Sequence, residues 1–441
     1  MASDESRQGF FELIAGASET LQGEEVLLAS FAGERSDFVR FGGGRVRQAG
    51  AVARADIGLD LIAGERHAEA TLTLTGEPSA DAGQVAAAVE RLRHVRAALA
   101  PDPFLAYATG PSESFEQRGA VLPAFAEIPA LVERIAGGAD LVGMWAQGRI
   151  ERGFASSLGG RGWHEADSFQ VDASFHGRDG AAVKWMHAGG DWDEGALAAK
   201  ADAARAELGL LERSAVEIAA GRYRAFLAPA ALEEIFGLLA WEGFGLKSHR
   251  TRQTPFLKMV ADGRELSPAV TLSDRRVQTP AFTAEGFRRP DEIVLIDRGR
   301  YAGCLASARS AKEYGVEVNA DDESPQELEM AGGELDERDA LPELGTGLLL
   351  SNLWYTNFSD RGECRITGMS RYACFWVEDG VRKAPLAPMR FDESLYHLLG
   401  SGLIALTSRR ETLADADTYG GRSLRRALLP GALIDGLTIA L

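Results

Sequence analysis

The sequence predicts an α+β protein of two domains, a mixed α/β part at residues 1–215 and a β-rich part at residues 216–441. Three observations carry this expectation. Residues 168–176 alternate strictly, with Phe169, Val171, Ala173 and Phe175 on one face and Ser168, Gln170, Asp172 and Ser174 on the other, which is the period-two pattern of a half-buried strand. Two long helical stretches, residues 82–99 and 194–212, both fall in the first half, and beyond them short β candidates separated by turns dominate. The length of 441 residues exceeds what one ordinary core holds.

Along the chain, Phe11, Leu13, Ile14 and Leu21 stand near helical spacing, and residues 24–31 then turn β-like around Val26, Leu27 and Leu28. Residues 37–41 alternate, meet Gly42, Gly43 and Gly44, and resume at Arg45, Val46, Arg47 and Gln48, as a hairpin with a glycine turn does. The triple glycine lacks GxGxxG and GK[ST] spacing and is followed by a strand, so its amides do not converge on a phosphate. Residues 52–61 and 67–74 alternate around a turn at 63–66, and the alanine-rich helix at 82–99 is stopped by Pro101 and Pro103. A short helix follows Pro129, and residues 141–154 read as two strands around Gln147 and Gly148. After the charged helix at 194–212, a strand at 221–227 ends at Pro229, and the domain boundary is expected near residue 215. Residues 292–296, 348–353, 375–378 and 434–441 are further β candidates, whereas the hydrophilic residues 319–343 predict a long surface connection with little regular structure.

Composition narrows the function classes. Hydrophobic residues at 45% and charged residues at 25% are the balance of a globular chain. Acidic residues outnumber basic ones by 65 to 47, a net charge of -18 that repels phosphate backbones and anionic membrane surfaces, so nucleic acid is not an expected partner. Cys304, Cys364 and Cys374 are too few and too irregular for a disulfide framework, and no CxxC pair suggests structural zinc, as expected in a reducing cytoplasm. The first residues, Met1, Ala2, Ser3, Asp4 and Glu5, lack the apolar run of a secretory signal, and no apolar stretch approaches the ~20 residues of a membrane span.

A family resemblance emerges from stretches in a fixed order. Phe38, Val39, Arg40 and Phe41 with Arg45, Val46, Arg47 and Gln48, then residues 148–159, resemble the N-terminal half of TldD/PmbA proteins. Phe282, Thr283, Ala284, Glu285 and Gly286 are similar to that family's acidic FDDEG-like segment, departing from it at Thr283 and Ala284 where acids are usual. Residues 353–358 and 366–371 resemble its C-terminal strands. The resemblance implies an α/β N-terminal domain and a β-rich, mainly antiparallel C-terminal domain. It also implies a dimer around an enclosed cavity, and a link to peptide degradation or peptide-antibiotic maturation. The family's description as a modulator of DNA gyrase implies an indirect effect, because an acidic chain without a basic stripe is a poor DNA binder.

Catalytic relatives carry HExxxH on a helix and a late cysteine, so that two imidazoles and a thiolate hold zinc while the glutamate handles the proton of bound water. Setting Glu242 on that glutamate puts Trp241 and Leu246 at the histidine positions, on the helix expected after Pro229 with Leu232, Ile235, Phe236 and Leu239 buried. Neither an indole nor an isobutyl group offers zinc a lone pair, and both are expected to fill the position with apolar volume. Residues 419–424, where the resemblance implies the cysteine, contain none. No metal ligand set and no cofactor are expected in this chain, with zinc confined to a catalytic partner.

Other constellations are weaker. His164 and Glu165 begin like a zincin motif, but neighbours in a strand point to opposite faces and cannot share an ion. His176, His187 and His249 are isolated, and no GxSxG elbow occurs. The cysteines read as small buried apolar residues. In the basic run Lys247, His249, Arg250, Arg252 and Lys258, a solvated loop competes with a hold on a peptide carboxylate, and Trp354, Tyr355 and Phe358 read either as a wall for extended peptide or as core and dimer contacts. The expected function is a non-catalytic PmbA/TldE-like subunit that completes a zinc-bearing TldD-type HExxxH partner, or pairs with itself, and handles unstructured peptides. The alternatives are an active peptide hydrolase with an unrecognised ligand set and a homodimeric peptide-binding module.

Overall fold

A computed structural model describes residues 3–440; the sequence readings at Met1, Ala2 and Leu441 lie outside the described residues. Two sheets carry the architecture, which is α+β and mostly antiparallel as expected.

The first sheet holds β1 (Val26–Gly42), β2 (Arg45–Ala63), β3 (Arg66–Thr73), β4 (Ser112–Arg118), β5 (Asp140–Ser156), β6 (Gly160–His176) and β7 (Ala182–Gly189). Its order is β3-β2-β1-β5-β6-β4, with β7 also on β6, and only the β4–β6 pair is parallel. The β1–β2 hairpin turns at Gly43 and Gly44, both at positive φ, as the glycine run predicts. Three expected breaks are absent. The stretches at 24–31 and 37–41 form one continuous strand β1, the stretch at 52–61 belongs to the strand that leaves the hairpin, and β5 runs through Gln147 and Gly148 without turning. Gly148 serves close approach in place of a turn: a Cβ there would collide with the carbonyl oxygen of Arg35 on β1. Helices α1 (Ser3–Ser18) and α2 (Pro78–Ala98) cover one face, burying Phe10, Val85 and Leu92 with Phe31 and Trp163.

Helix α3 (Ile128–Ala136) and α4 (Glu194–Leu211) lie on the other side, where Trp145, Val171 and Phe175 meet Phe226, Leu349, Phe375 and Leu433 of the second sheet. The alternation read at 168–176 places Phe169, Val171, Ala173 and Phe175 at 3% exposure or less, so the period-two signal reports real burial.

The second sheet begins with β8 (Gly221–Leu227) and continues with β9 (Leu272–Arg275), β10 (Glu292–Asp297), β11 (Arg300–Tyr301) and β12 (Glu327–Met330). Then come β13 (Gly347–Leu350), β14 (Asn352–Asp360), β15 (Arg365–Arg371), β16 (Phe375–Glu378) and β17 (Val381–Pro385), followed by β18 (Arg390–Ser394), β19 (Leu403–Ala414) and β20 (Arg426–Ala440). Strand β20 pairs with β12, β8, β18 and β19 along its length. Helix α5 (Pro229–Ala240) packs on β14 and β20, and α6 (Leu246–Arg250), α7 (Leu257–Asp262), α8 (Ala308–Tyr314) and α9 (Ala340–Leu344) are short.

The expected surface connection at 319–343 is corrected by β12, which is buried in the middle of this sheet between β9 and β20. Its acids are satisfied there. Glu327, fully buried, accepts the backbone N–H groups of Val277, Gln278 and Thr279 and the Thr279 hydroxyl on one oxygen, and Arg426 Nε at 2.8 Å on the other. No described helix is long and apolar enough to cross a membrane.

Candidate functional site

Helix α5 forms because Pro229 supplies a preset first turn and Ala231, Leu232, Ile235, Phe236 and Leu239 make one apolar stripe, all buried. It stops one residue short of the position the resemblance marks. Trp241 has an extended backbone, Glu242 takes the left-handed region at φ 64, and the chain then passes so near the last turn that a Cβ on Gly243 would collide with the Leu239 carbonyl.

Trp241, Glu242 and Leu246 therefore share no helical face. Trp241 is 74% exposed, which corrects the expectation that its indole fills the ligand position: the helix ends before it and the ring turns to solvent. Leu246 is buried as expected, at the start of α6 against Ala306 and Ala311. Glu242 bonds Arg361 Nη2 at 2.8 Å, and that guanidinium also donates through Nε to the Gln253 carbonyl. Two side chains without lone pairs and a carboxylate committed to an arginine do not fit a zinc ion. Among the described residues, the one group of three with ligand atoms close enough for a metal is Asp60, His67 and Glu69 on β2 and β3, in the other sheet.

The C-terminal segment at 419–424 carries a residue that sequence reasoning missed. Arg422 is 4% exposed and reaches into the first sheet, where Nη1 donates to Ser36 Oγ at 3.2 Å and Nη2 to Ser168 O at 2.9 Å and Oγ at 2.5 Å. Its backbone N–H donates to Glu34 Oε2. Burial pulls the guanidinium down to about 10 despite the attraction of Glu34 and Asp167. Only the Gly420-Gly421 pair before it hinted at a special backbone. Nearby on β5 and β6, Arg149 pairs with Asp167 and Glu165, and burial pushes the Glu151 carboxyl up. Beside the departure at Ala284, Asp321 accepts the Ala284 N–H at 2.8 Å, and burial raises both Asp321 and Glu285.

His164 and Glu165 take separate partners on opposite faces of β6. His164 Nε2 donates to the Gln278 carbonyl at 2.6 Å, while Glu165 accepts from Arg149 and Trp163. Trp354 and Tyr355 are 44% and 80% exposed on β14, which pairs only with β15, and the Arg371 guanidinium lies 4.1 Å above the Trp354 ring. Cys364 and Cys374 are buried, and Cys304 is partly exposed.

Four residues of the degenerate position and the basic run do converge. Leu246, His249, Arg250 and Arg252 line one cleft of about 610 Å³, joined by Tyr301 and Cys304. Leu257, Val260, Ile293 and Val316 give it apolar walls. His249 is buried, donates through Nε2 to the Gly243 carbonyl at 2.8 Å, and is held neutral by burial, leaving Nδ1 to face Tyr301 Oη at 3.4 Å. Lys247, Trp354 and Tyr355 stand outside the cleft lining, and Lys258 instead pairs with Glu363.

The profile of the PmbA/TldA metallopeptidase C-terminal domain matches residues 220–441. The fold is similar to TldE from Thermococcus kodakarensis (TM-score 0.81, 15% identity, covering 98% of this chain and 100% of that one). It is also similar to a candidate modulator of DNA gyrase from Thermotoga maritima (TM-score 0.76, 14% identity, 98% and 99% covered). A third solved structure, a candidate modulator of DNA gyrase from Bacteroides thetaiotaomicron, gives TM-score 0.74 at 15% identity with 100% of both chains covered. No curated protein gives a significant match.

Proposed function

Because this chain belongs to the PmbA/TldD metallopeptidase family, we propose that it is a catalytically silent, PmbA/TldE-like subunit that completes a zinc-bearing TldD-type partner acting on unstructured peptides in the cytoplasm. The observation that carries this reading is the geometry at 241–246. An exposed indole, a carboxylate tied to Arg361 and a buried isobutyl group stand where two imidazoles and a proton-handling glutamate are needed. At that position the chain has no ligand set for zinc, which in metallopeptidases lowers the pKa of a bound water molecule toward neutrality. Its own contribution is to close and line the space in which the partner's chemistry takes place.

The test is to mix the chain with a relative that bears an intact HExxxH motif and follow cleavage of an unstructured peptide. Hydrolysis is expected only in the mixture and is abolished by chelator. Glu242→Gln in this chain leaves the mixed activity nearly unchanged, whereas the same change at the partner's motif glutamate removes it. Chelator-sensitive hydrolysis by this chain alone, or a large loss from Glu242→Gln in a folded complex, overturns the assignment.

A further inference from the structure

We propose that the cleft beside the degenerate ligand position is a docking site for the free C-terminal carboxylate of a peptide with apolar final residues. Arg250 and Arg252 stand on its lining, and among the described residues neither guanidinium has an acidic partner within ion-pair distance. Two guanidiniums on one lining give the cleft a local charge opposite in sign to the chain's net charge of -18. Glu317 is the one carboxylate on the lining, so two positive charges face one negative charge. Arg252 also holds a left-handed backbone at φ 58, a conformation that costs a non-glycine residue of order 1 kcal/mol and is kept just past the end of α6, where glycine is the easier choice.

The shape sets the rest of the ligand. A guanidinium pair recognises a carboxylate by paired N–H donors, and Val260, Ile293 and Val316 offer apolar surface for the side chains behind it. His249, held neutral by burial with Nε2 on the Gly243 carbonyl and Nδ1 facing Tyr301, adds no charge of its own, which leaves the carboxylate to Arg250 and Arg252. An amide-bearing ligand is favoured over a fatty acid because β11, whose Tyr301 lines the cleft, is the edge strand of its sheet and leaves one side of its backbone unpaired. The choice of peptide among carboxylates rests on the peptide-handling reading above; the carboxylate itself does not.

The experiment uses the full chain and three probes: fluorescein-labelled Leu-Val-Phe as the free acid, the same peptide as its C-terminal amide, and unlabelled decanoate as competitor. The acid should bind at least about ten-fold more tightly than the amide, and added salt should narrow the gap. Arg250→Ala with Arg252→Ala should erase the difference between acid and amide; both side chains are exposed, so the core is untouched. Ala261→Trp, which fills the cleft from an exposed lining position, should weaken the acid as well. Equal binding of acid and amide, tighter binding of decanoate than of the peptide acid, no peptide binding at about 1 mM, or indifference to these variants each overturns the proposal. If peptide cleavage fails in the mixed assay while the acid still binds, the cleft assignment stands and the subunit reading falls; the converse result separates them the other way.

Discussion

At the scale of single residues, Glu233 is held in an environment that opposes its charge. It sits partly buried on α5, and burial first, then Glu234 and Asp415, push its carboxyl up to about 7, with Lys184 pulling the other way. A carboxyl whose folded pKa is raised favours the folded state fully below its unfolded value of 4.5, and that contribution is lost as pH climbs through about 7. The melting temperature should therefore fall between pH values of about 5 and 8, and Glu233→Gln should flatten that fall and stabilise the protein at pH 8 by on the order of 1–2 kcal/mol. Parallel melting curves for the two proteins across that window would show that the carboxyl ionises freely. The same helix illustrates how a residue escapes its expected environment: Trp241 follows the last turn of α5 and faces solvent, although its size alone argues for burial.

At the scale of elements, β12 is held by its acids as much as by its apolar residues. Glu327 gathers three backbone N–H groups and a hydroxyl from 277–279 and a guanidinium from β20, so one side chain fixes a loop and a neighbouring strand together. Glu327→Gln keeps the shape but removes the charge that those donors converge on and brings an NH₂ group against them. It should cost roughly 3 kcal/mol in denaturant unfolding. A loss below about 1 kcal/mol would mean that the amide oxygen accepts those bonds as well as the carboxylate does, and that the charge adds little to holding the strand.

At the scale of the whole molecule, long-range charge contacts tie the two sheets together. Arg422 bridges from the C-terminal segment to Ser36 and Ser168, Lys200 pairs with Glu411, and Arg276 with Glu116. Arg422→Met takes a buried donor from Ser36 and Ser168 and one attracting guanidinium from Glu34, with Arg152 remaining, and should destabilise by about 3 kcal/mol, read from chemical unfolding. Unchanged stability would mean that the contact adds nothing to the joint. Metal content belongs to this scale too, because a zinc ion would be felt by the entire fold. The chain purified alone and dialysed against trace zinc should hold far less than one zinc per chain by elemental analysis, and chelator should leave its melting temperature where it was. Near-stoichiometric zinc would sink the silent-subunit reading.

What the sequence determined by itself is what local pattern can express. Period-two alternation placed β6 and its buried face, the glycine run placed the β1–β2 turn, and Pro229 with its apolar stripe placed the start of α5. The absence of lone-pair donors at Trp241 and Leu246 is likewise a property of residue type and needs no coordinates. Only the tertiary structure decided where α5 stops, because the close pass of Gly243 over Leu239 depends on how the following chain packs. Only the tertiary structure could place 327–330 inside a sheet, since the groups that satisfy Glu327 come from 277–279 and Arg426. Arg422 is the plainest case, with a partner in Ser36 that is 386 residues away. Burying a charge is unfavourable until its partners are in place, and partners brought together by folding leave no periodic trace in the chain.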